Sequence, residues 1–116
     1  MYKRQDLIRP TLYEAHHDIL PVLQASPEAG AERADVVGPV CETGDYLARD
    51  RDLPPVKAGD LLAVMTAGAY GAVQACTYNT RLLVPEVLVR GADCATVRPR
   101  PSYEELIGLD RIPDWL

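Results

Sequence analysis

The sequence predicts a mainly-β domain of about five strands with two or three short helices. Three stretches carry that expectation. Val36-Val37-Gly38-Pro39-Val40 is a β-branched apolar run that ends in the polar turn Cys41-Glu42-Thr43-Gly44-Asp45. Leu61-Leu62-Ala63-Val64-Met65 is continuously apolar, as a strand buried on both faces would be. Residues 85–89 and 95–98 read as two strands joined by the hairpin turn Arg90-Gly91-Ala92-Asp93. At 116 residues the chain is read as one domain, 1–116. It has six Tyr, one Trp and no Phe, so its core must be built from Val, Leu, Ile and Ala.

In chain order, the residue before Pro10 is pushed to an extended conformation, and Pro10 suits a first helical turn. A short turn of helix is expected over residues 11–15. Arg9 and Tyr13, four apart, would then lie near one face if Arg9 joins the turn. Together they would hold a carboxylate through a guanidinium fork and a phenol; the alternative is a surface Arg beside a packed Tyr. His16 and His17 are adjacent and diverge on any regular element, so they make a poor metal pair. Residues 19–23 read as a short strand with Pro21 at an edge or bulge. Residues 25–35 have loop composition.

The turn at residues 41–45 sets a thiol beside a carboxylate. At a strand end the backbone can bring both toward one cleft, where Cys41 and Glu42 would bind an amine or move a proton. The alternative is a small buried Cys next to a solvated Glu. Residues 46–55 alternate in charge and end in two prolines, which reads as an exposed loop or short extended segment. Residues 56–60 form a turn. The stretch from Thr66 to Cys76 is rich in Gly and Ala, so another backbone or a ligand can approach it closely. A helix starting near residues 67–69 would put Tyr70 at a mouth suited to phosphate, or would use its small residues for tight packing. Gly68 and Gly71 do not make a dinucleotide fingerprint. Ser102, with Glu105 three residues on, predicts a capped helix, and Trp115 is expected to pack on the domain surface.

The formal charge of −5 argues against nucleic acid, which needs clustered Lys and Arg. No apolar run approaches the length of a membrane helix, and the N-terminus has no apolar signal core, so a cytoplasmic location is expected. Cys41, Cys76 and Cys94 show no close pairing, which fits reduced thiols and neither a disulfide framework nor a zinc site.

Taken in order, Arg9-Pro10-Thr11-Leu12-Tyr13, Val37-Gly38-Pro39-Val40-Cys41-Glu42-Thr43-Gly44-Asp45, Ala67-Gly68-Ala69-Tyr70-Gly71, Tyr78-Asn79 and Pro85-Glu86-Val87 resemble the C-terminal part of the diaminopimelate decarboxylases. These belong to the pyridoxal-phosphate-dependent decarboxylases with an alanine-racemase-like barrel. The resemblance implies a β-sandwich or barrel-like C-terminal domain beside a TIM barrel, in a head-to-tail homodimer with active sites at the subunit boundary. It implies decarboxylation of meso-diaminopimelate to lysine, in lysine biosynthesis. By the family pattern Arg9 and Tyr13 would bind the distal carboxylate end of the substrate and Glu42 the distal amino group. Cys41 would donate the proton that replaces the lost carboxylate, both Cys41 and Glu42 coming from the subunit opposite the cofactor, and Tyr70 would contact the cofactor phosphate and the substrate.

The family's cofactor lysine and glycine-rich phosphate loop lie in the barrel, which these 116 residues lack. Lys3 and Lys57 match no cofactor motif. The chain is therefore expected to be a separated C-terminal domain, with residues 2–6 as the remnant of a junction, inactive without a barrel or a full-length subunit. A non-catalytic interaction module that keeps the β-domain is the competing expectation. A stand-alone hydrolase with Cys41 as nucleophile would need His16 or His17 as base, and no spacing supports it.

Overall fold

The computed structural model describes residues 5–24, 26 and 28–116. Lys3 and most of the expected junction remnant lie outside the described residues. The chain divides into two compact units, Met1–Ala75 and Cys76–Leu116. Among the described residues there are six strands, three short α-helices and one 3-10 turn, so the mainly-β expectation holds.

The first unit runs α1 (Arg9–Tyr13), β1 (Ile19–Pro21), β2 (Glu32–Val37), β3 (Tyr46–Leu53), β4 (Leu62–Val64) and α2 (Gly68–Gln74). Two antiparallel pairs, β1 with β4 and β2 with β3, enclose its core. Leu7, Ile19, Val36, Leu47, Ala48 and Leu53 are buried together, with Leu62, Val64 and Ala67 packed against them. Each fully buried aliphatic side chain contributes about 1.5–3 kcal/mol.

Of the two readings of the charged stretch, exposed loop or short extended segment, the second holds: it is β3, the longest strand among the described residues, and rather than lying exposed it supplies Leu47, Ala48 and Leu53 to that core. Its partner β2 starts at Glu32, inside the stretch read as loop. The register shifts between Ala34 and Val36 and again between Val36 and Val37. Asp50 adopts a left-handed φ of +58° in this irregular stretch, its amide donating to Asp35 Oδ1 at 2.7 Å. A bulge breaks the period-two pattern, which is how adjacent Leu47 and Ala48 are both buried. The charges lie on the solvated side, where Arg33 Nε donates to Asp50 Oδ1 at 2.9 Å. That hydrogen bond lowers the Asp50 pKa, so the pair's small contribution is present at neutral pH and fades as acid protonates the carboxylate.

β4 differs from its expectation too. It is half-buried rather than covered on both faces, and β1 is its only ladder partner among the described residues. His17 extends that pairing: its Nδ1–H donates to the Met65 carbonyl at 3.0 Å. His16 turns out to solvent, where Arg51 Nη1 approaches its Nε2 at 2.8 Å. The two histidines diverge as expected, and no cluster of metal-ligating side chains occurs among the described residues.

The second unit holds the Tyr78–Thr80 turn, the hairpin β5 (Glu86–Arg90) and β6 (Asp93–Arg98), and α3 (Tyr103–Ile107). Gly91 has φ +61°, the positive value a two-residue hairpin loop asks of its first position. Arg98 and Glu86 pair across the open end at 2.5 Å. Ser102 and Glu105 form the expected capping box: the Ser102 hydroxyl accepts from the Glu105 amide at 3.1 Å, and Glu105 Oε2 accepts from the Ser102 amide at 2.7 Å. Trp115 is 83% exposed, contrary to expectation. The tail after Ile107 contains only short turns that offer it no packing surface. Replacing Ser102 with Ala should cost α3 about 1 kcal/mol, read as faster hydrogen exchange at the Glu105 amide with the β5–β6 amides unchanged.

Candidate functional site

α1 is one turn of helix with a different residue group on each side. It begins two residues before the expected span, because Pro10 stands inside its first turn, and it ends where Glu14 adopts a left-handed φ of +58°. Pro10 is buried and anchors it. Arg9 and Tyr13 share a face: Arg9 Nε donates to the Tyr13 hydroxyl at 2.6 Å, and the guanidinium lies 5.5 Å from the Tyr13 ring centre. It also lies 5.8 Å from the ring of Tyr70, which stands in the first turn of α2. The fold therefore brings Arg9, Tyr13 and Tyr70 together, although 57 positions separate Tyr13 from Tyr70 (70 − 13). With Nε donating to the phenol, a carboxylate fork at Arg9 would use its two Nη groups. Both tyrosines are exposed enough to be reached.

Tyr70 is placed there by a close approach. Gly71 is buried, and a Cβ on it would stand 3.3 Å from both Ala67 Cβ and Leu7 Cδ1. The small residues of α2 thus serve tight packing at Gly71, and that packing presents Tyr70 beside Arg9.

Cys41 and Glu42 stand at the crest of the loop that joins β2 to β3. Cys41 is exposed, so the reading of a small buried Cys does not hold. The crest is tightly wound, with the Glu42 amide donating to the Val40 carbonyl at 2.7 Å and the Asp45 amide to the Glu42 carbonyl at 3.1 Å. Below it, Asp45 is buried and accepts the Val40 amide on Oδ2 at 2.8 Å.

Two further residues grip the loop from outside. The Thr11 hydroxyl, on α1, donates to the Gly44 carbonyl at 2.6 Å. Arg49 Nη2 donates to the Thr43 carbonyl at 2.9 Å, and its guanidinium stacks 4.0 Å over the Tyr46 ring. The Tyr46 hydroxyl in turn donates to the Pro10 carbonyl at 3.3 Å. The carrier of Arg9 and Tyr13 is thus bonded directly to the carrier of Cys41 and Glu42. The supports Thr11, Asp45, Tyr46 and Arg49 were missed by sequence reasoning. Only the Gly44-Asp45 turn signal hinted at one of them, and Arg49 was hidden in a run that reads as self-neutralising surface.

Arg9 with Tyr13 has the chemistry to hold a carboxylate, and an exposed thiol beside a carboxylate has the chemistry to exchange a proton. The family described as "Pyridoxal-dependent decarboxylase, C-terminal sheet domain" matches residues 4–68. The diaminopimelate decarboxylase of Zymomonas mobilis is 52% identical over 111 residues, which are 96% of this chain and 26% of that protein. That of Archaeoglobus fulgidus is 48% identical over 112 residues, 95% of this chain and 26% of the relative. The crystal structure of diaminopimelate decarboxylase from M. jannaschii in co-complex with L-lysine matches with a TM-score of 0.85 at 35% identity. It covers 97% of this chain and 25% of that one. The chain spans about a quarter of the length of the curated relatives it matches.

Thr11→Val removes the hydroxyl that holds Gly44 while keeping the side-chain shape. It should loosen the crest by about 1 kcal/mol, seen as faster hydrogen exchange at the Glu42 and Asp45 amides, and Thr11→Ser should restore most of the protection.

Proposed function

This chain belongs to the pyridoxal-dependent decarboxylases, as their C-terminal sheet domain, and from that premise we propose that it supplies one side of a diaminopimelate decarboxylase active site. The observation that carries the reading is the bonded pair of carriers, α1 with Arg9 and Tyr13 and the 38–45 loop with Cys41 and Glu42. Arg9 and Tyr13 bind the distal carboxylate of meso-diaminopimelate, and Glu42 binds the distal ammonium. Cys41 gives its thiol proton to the carbon that loses carbon dioxide and is reprotonated by solvent, so that lysine leaves with one new C–H bond. Tyr70, beside Arg9, lines the same surface and contacts the cofactor phosphate.

Pyridoxal phosphate, when bound, supplies the electron sink that the loss of carbon dioxide requires. Tyr70 fits a contact to its phosphate, whereas Lys57, the lysine among the described residues, does not fit as the lysine that would hold it. Lys57 is exposed in the turn at residues 57–60, its amide donating to Asp60 Oδ2 at 2.8 Å, on neither α1 nor the 38–45 loop. By the resemblance the cofactor lysine comes from a barrel domain, and these 116 residues without one are expected to release no carbon dioxide. By the same resemblance the working assembly is a cytoplasmic homodimer in which residues 1–116 act as one domain. No helix among the described residues is long and apolar enough to cross a membrane, which accords with that placement.

A second reading, a non-catalytic interaction module, draws on the apolar side chains left exposed on β5 and β6, Val87, Leu88, Val89 and Val97. Complementation separates the two. This chain is mixed with a separately expressed diaminopimelate decarboxylase barrel and pyridoxal phosphate, and carbon dioxide release from meso-diaminopimelate is measured. Activity should require both pieces. Cys41→Ala should lower kcat by about 10²-fold or more, and Arg9→Ala should raise KM by about tenfold or more through loss of a charged hydrogen bond. A folded chain with a loaded barrel and no activity would favour the interaction module.

A further inference from the structure

We infer that Asp45, with Gly38 opposite it, is the positioning residue that fixes where the Cys41 thiol stands; this rests on the reading of Cys41 as proton donor. Asp45 is 4% exposed, a buried carboxylate beneath an exposed loop crest. Its Oδ2 accepts the Val40 amide at 2.8 Å, and its main-chain carbonyl accepts the Gly38 amide at 2.6 Å. A Cβ built on Gly38 would overlap Cγ and both oxygens of the Asp45 carboxylate. The carboxylate therefore lies flat against the Gly38 backbone, in the space any other side chain at 38 would fill.

These contacts close the loop on itself. Residues 38 and 45 meet at its base, and the carboxylate reaches up to the amide directly before Cys41. From there the chain turns at once, since the Glu42 amide returns to the Val40 carbonyl at 2.7 Å. The position of Cys41 is thus set by an amide held from inside the loop and not by any packing of the thiol, which is exposed. Burying a carboxylate is costly unless its oxygens are bonded. A loop needed only to connect β2 to β3 could close with a short turn and no buried charge. A carboxylate spent on the residue before the thiol gives the crest one geometry, as a proton donor requires.

The test uses the full chain with Asp45→Ala, Asp45→Asn, Gly38→Ala and the Gly38→Ala/Asp45→Ala pair. In the chain alone, iodoacetamide alkylation is followed at each cysteine by peptide mass, with exposed Cys76 and Cys94 as internal references. Asp45→Ala should change the Cys41 rate by about threefold or more with the other two as before, and Asp45→Asn, which keeps an oxygen acceptor, should restore it. Gly38→Ala should perturb Cys41 in the wild type and add little in the Asp45→Ala background, because the clash is with that carboxylate.

In the barrel mixture, Asp45→Ala should lower kcat by about tenfold or more and enlarge the solvent deuterium isotope effect, as proton delivery becomes the slower step. Asp45→Asn should recover both. An unchanged Cys41 rate in Asp45→Ala, additive effects at 38 and 45, or a kcat loss with no change in isotope effect would overturn the inference. A wild-type mixture that releases no carbon dioxide overturns the reading of Cys41 itself, and the alkylation pattern then decides the positional claim alone.

Discussion

Val37 pairs with Tyr46 on the last rung of the β2–β3 ladder, and residues 38–45 must close a loop between them. Most of the first unit follows from that constraint. The ladder below the loop delivers Val36, Leu47, Ala48 and Leu53 to the core, so the loop stands on the most deeply packed part of the unit. The loop above exposes Cys41 while Asp45 seals its base. α1 then leans on the loop through Thr11, and Tyr46, the first residue of β3, bonds back to Pro10. The proposed site side chains Cys41 and Glu42 and the core side chains are therefore neighbours along one hairpin, and a shift in its register would move both sets.

The two register shifts along β3, one spanning Asp50 and one at Leu47, belong to the same arrangement. A regular strand would place Leu47 and Ala48 on opposite faces. Relaxing the ladder lets both turn inward, and it leaves Arg49 free to reach forward to the Thr43 carbonyl. A local irregularity thereby serves packing on one side and the loop on the other. The second unit is built differently. Its hairpin and capped helix have sound local chemistry, yet Val87, Leu88, Val89 and Val97 stay more than half exposed. A two-stranded hairpin is marginal in water by itself, and these apolar side chains, which alternate between its two sides, are suited to being covered by other protein surface.

Some elements were legible because their determinants are local. The Ser102–Glu105 capping box needs only four consecutive residues, and the β5–β6 hairpin needs a turn between two apolar runs. α2 was readable from its run of small residues, and the pairing of Arg9 with Tyr13 from helical spacing. β3 was legible only in part. Its pairing with β2 and the bulge that erases the alternation are not local, so the charged residues at 49–52 read as solvated surface on a loop or short extended segment. α1 was shifted by two residues, because Pro10 is tolerated within a first helical turn as well as before one. For β4, composition gave the strand but not its neighbours: an apolar run does not reveal how many ladders will flank it.

The sequence by itself determined the residue chemistry and the local turns: a thiol beside a carboxylate after a valine run, an Arg and a Tyr one helical turn apart, and the motif order shared with the decarboxylase family. Tertiary structure alone decided that Tyr70 joins Arg9, that Thr11 ties α1 to the Cys41 loop, and that Asp45 is buried under it. The reason is physical. Caps, turns and helical spacing are satisfied within a few residues, whereas these contacts need backbone brought from elsewhere in the chain. Only the β2–β3 ladder and the close approach at Gly71 create the positions where they form.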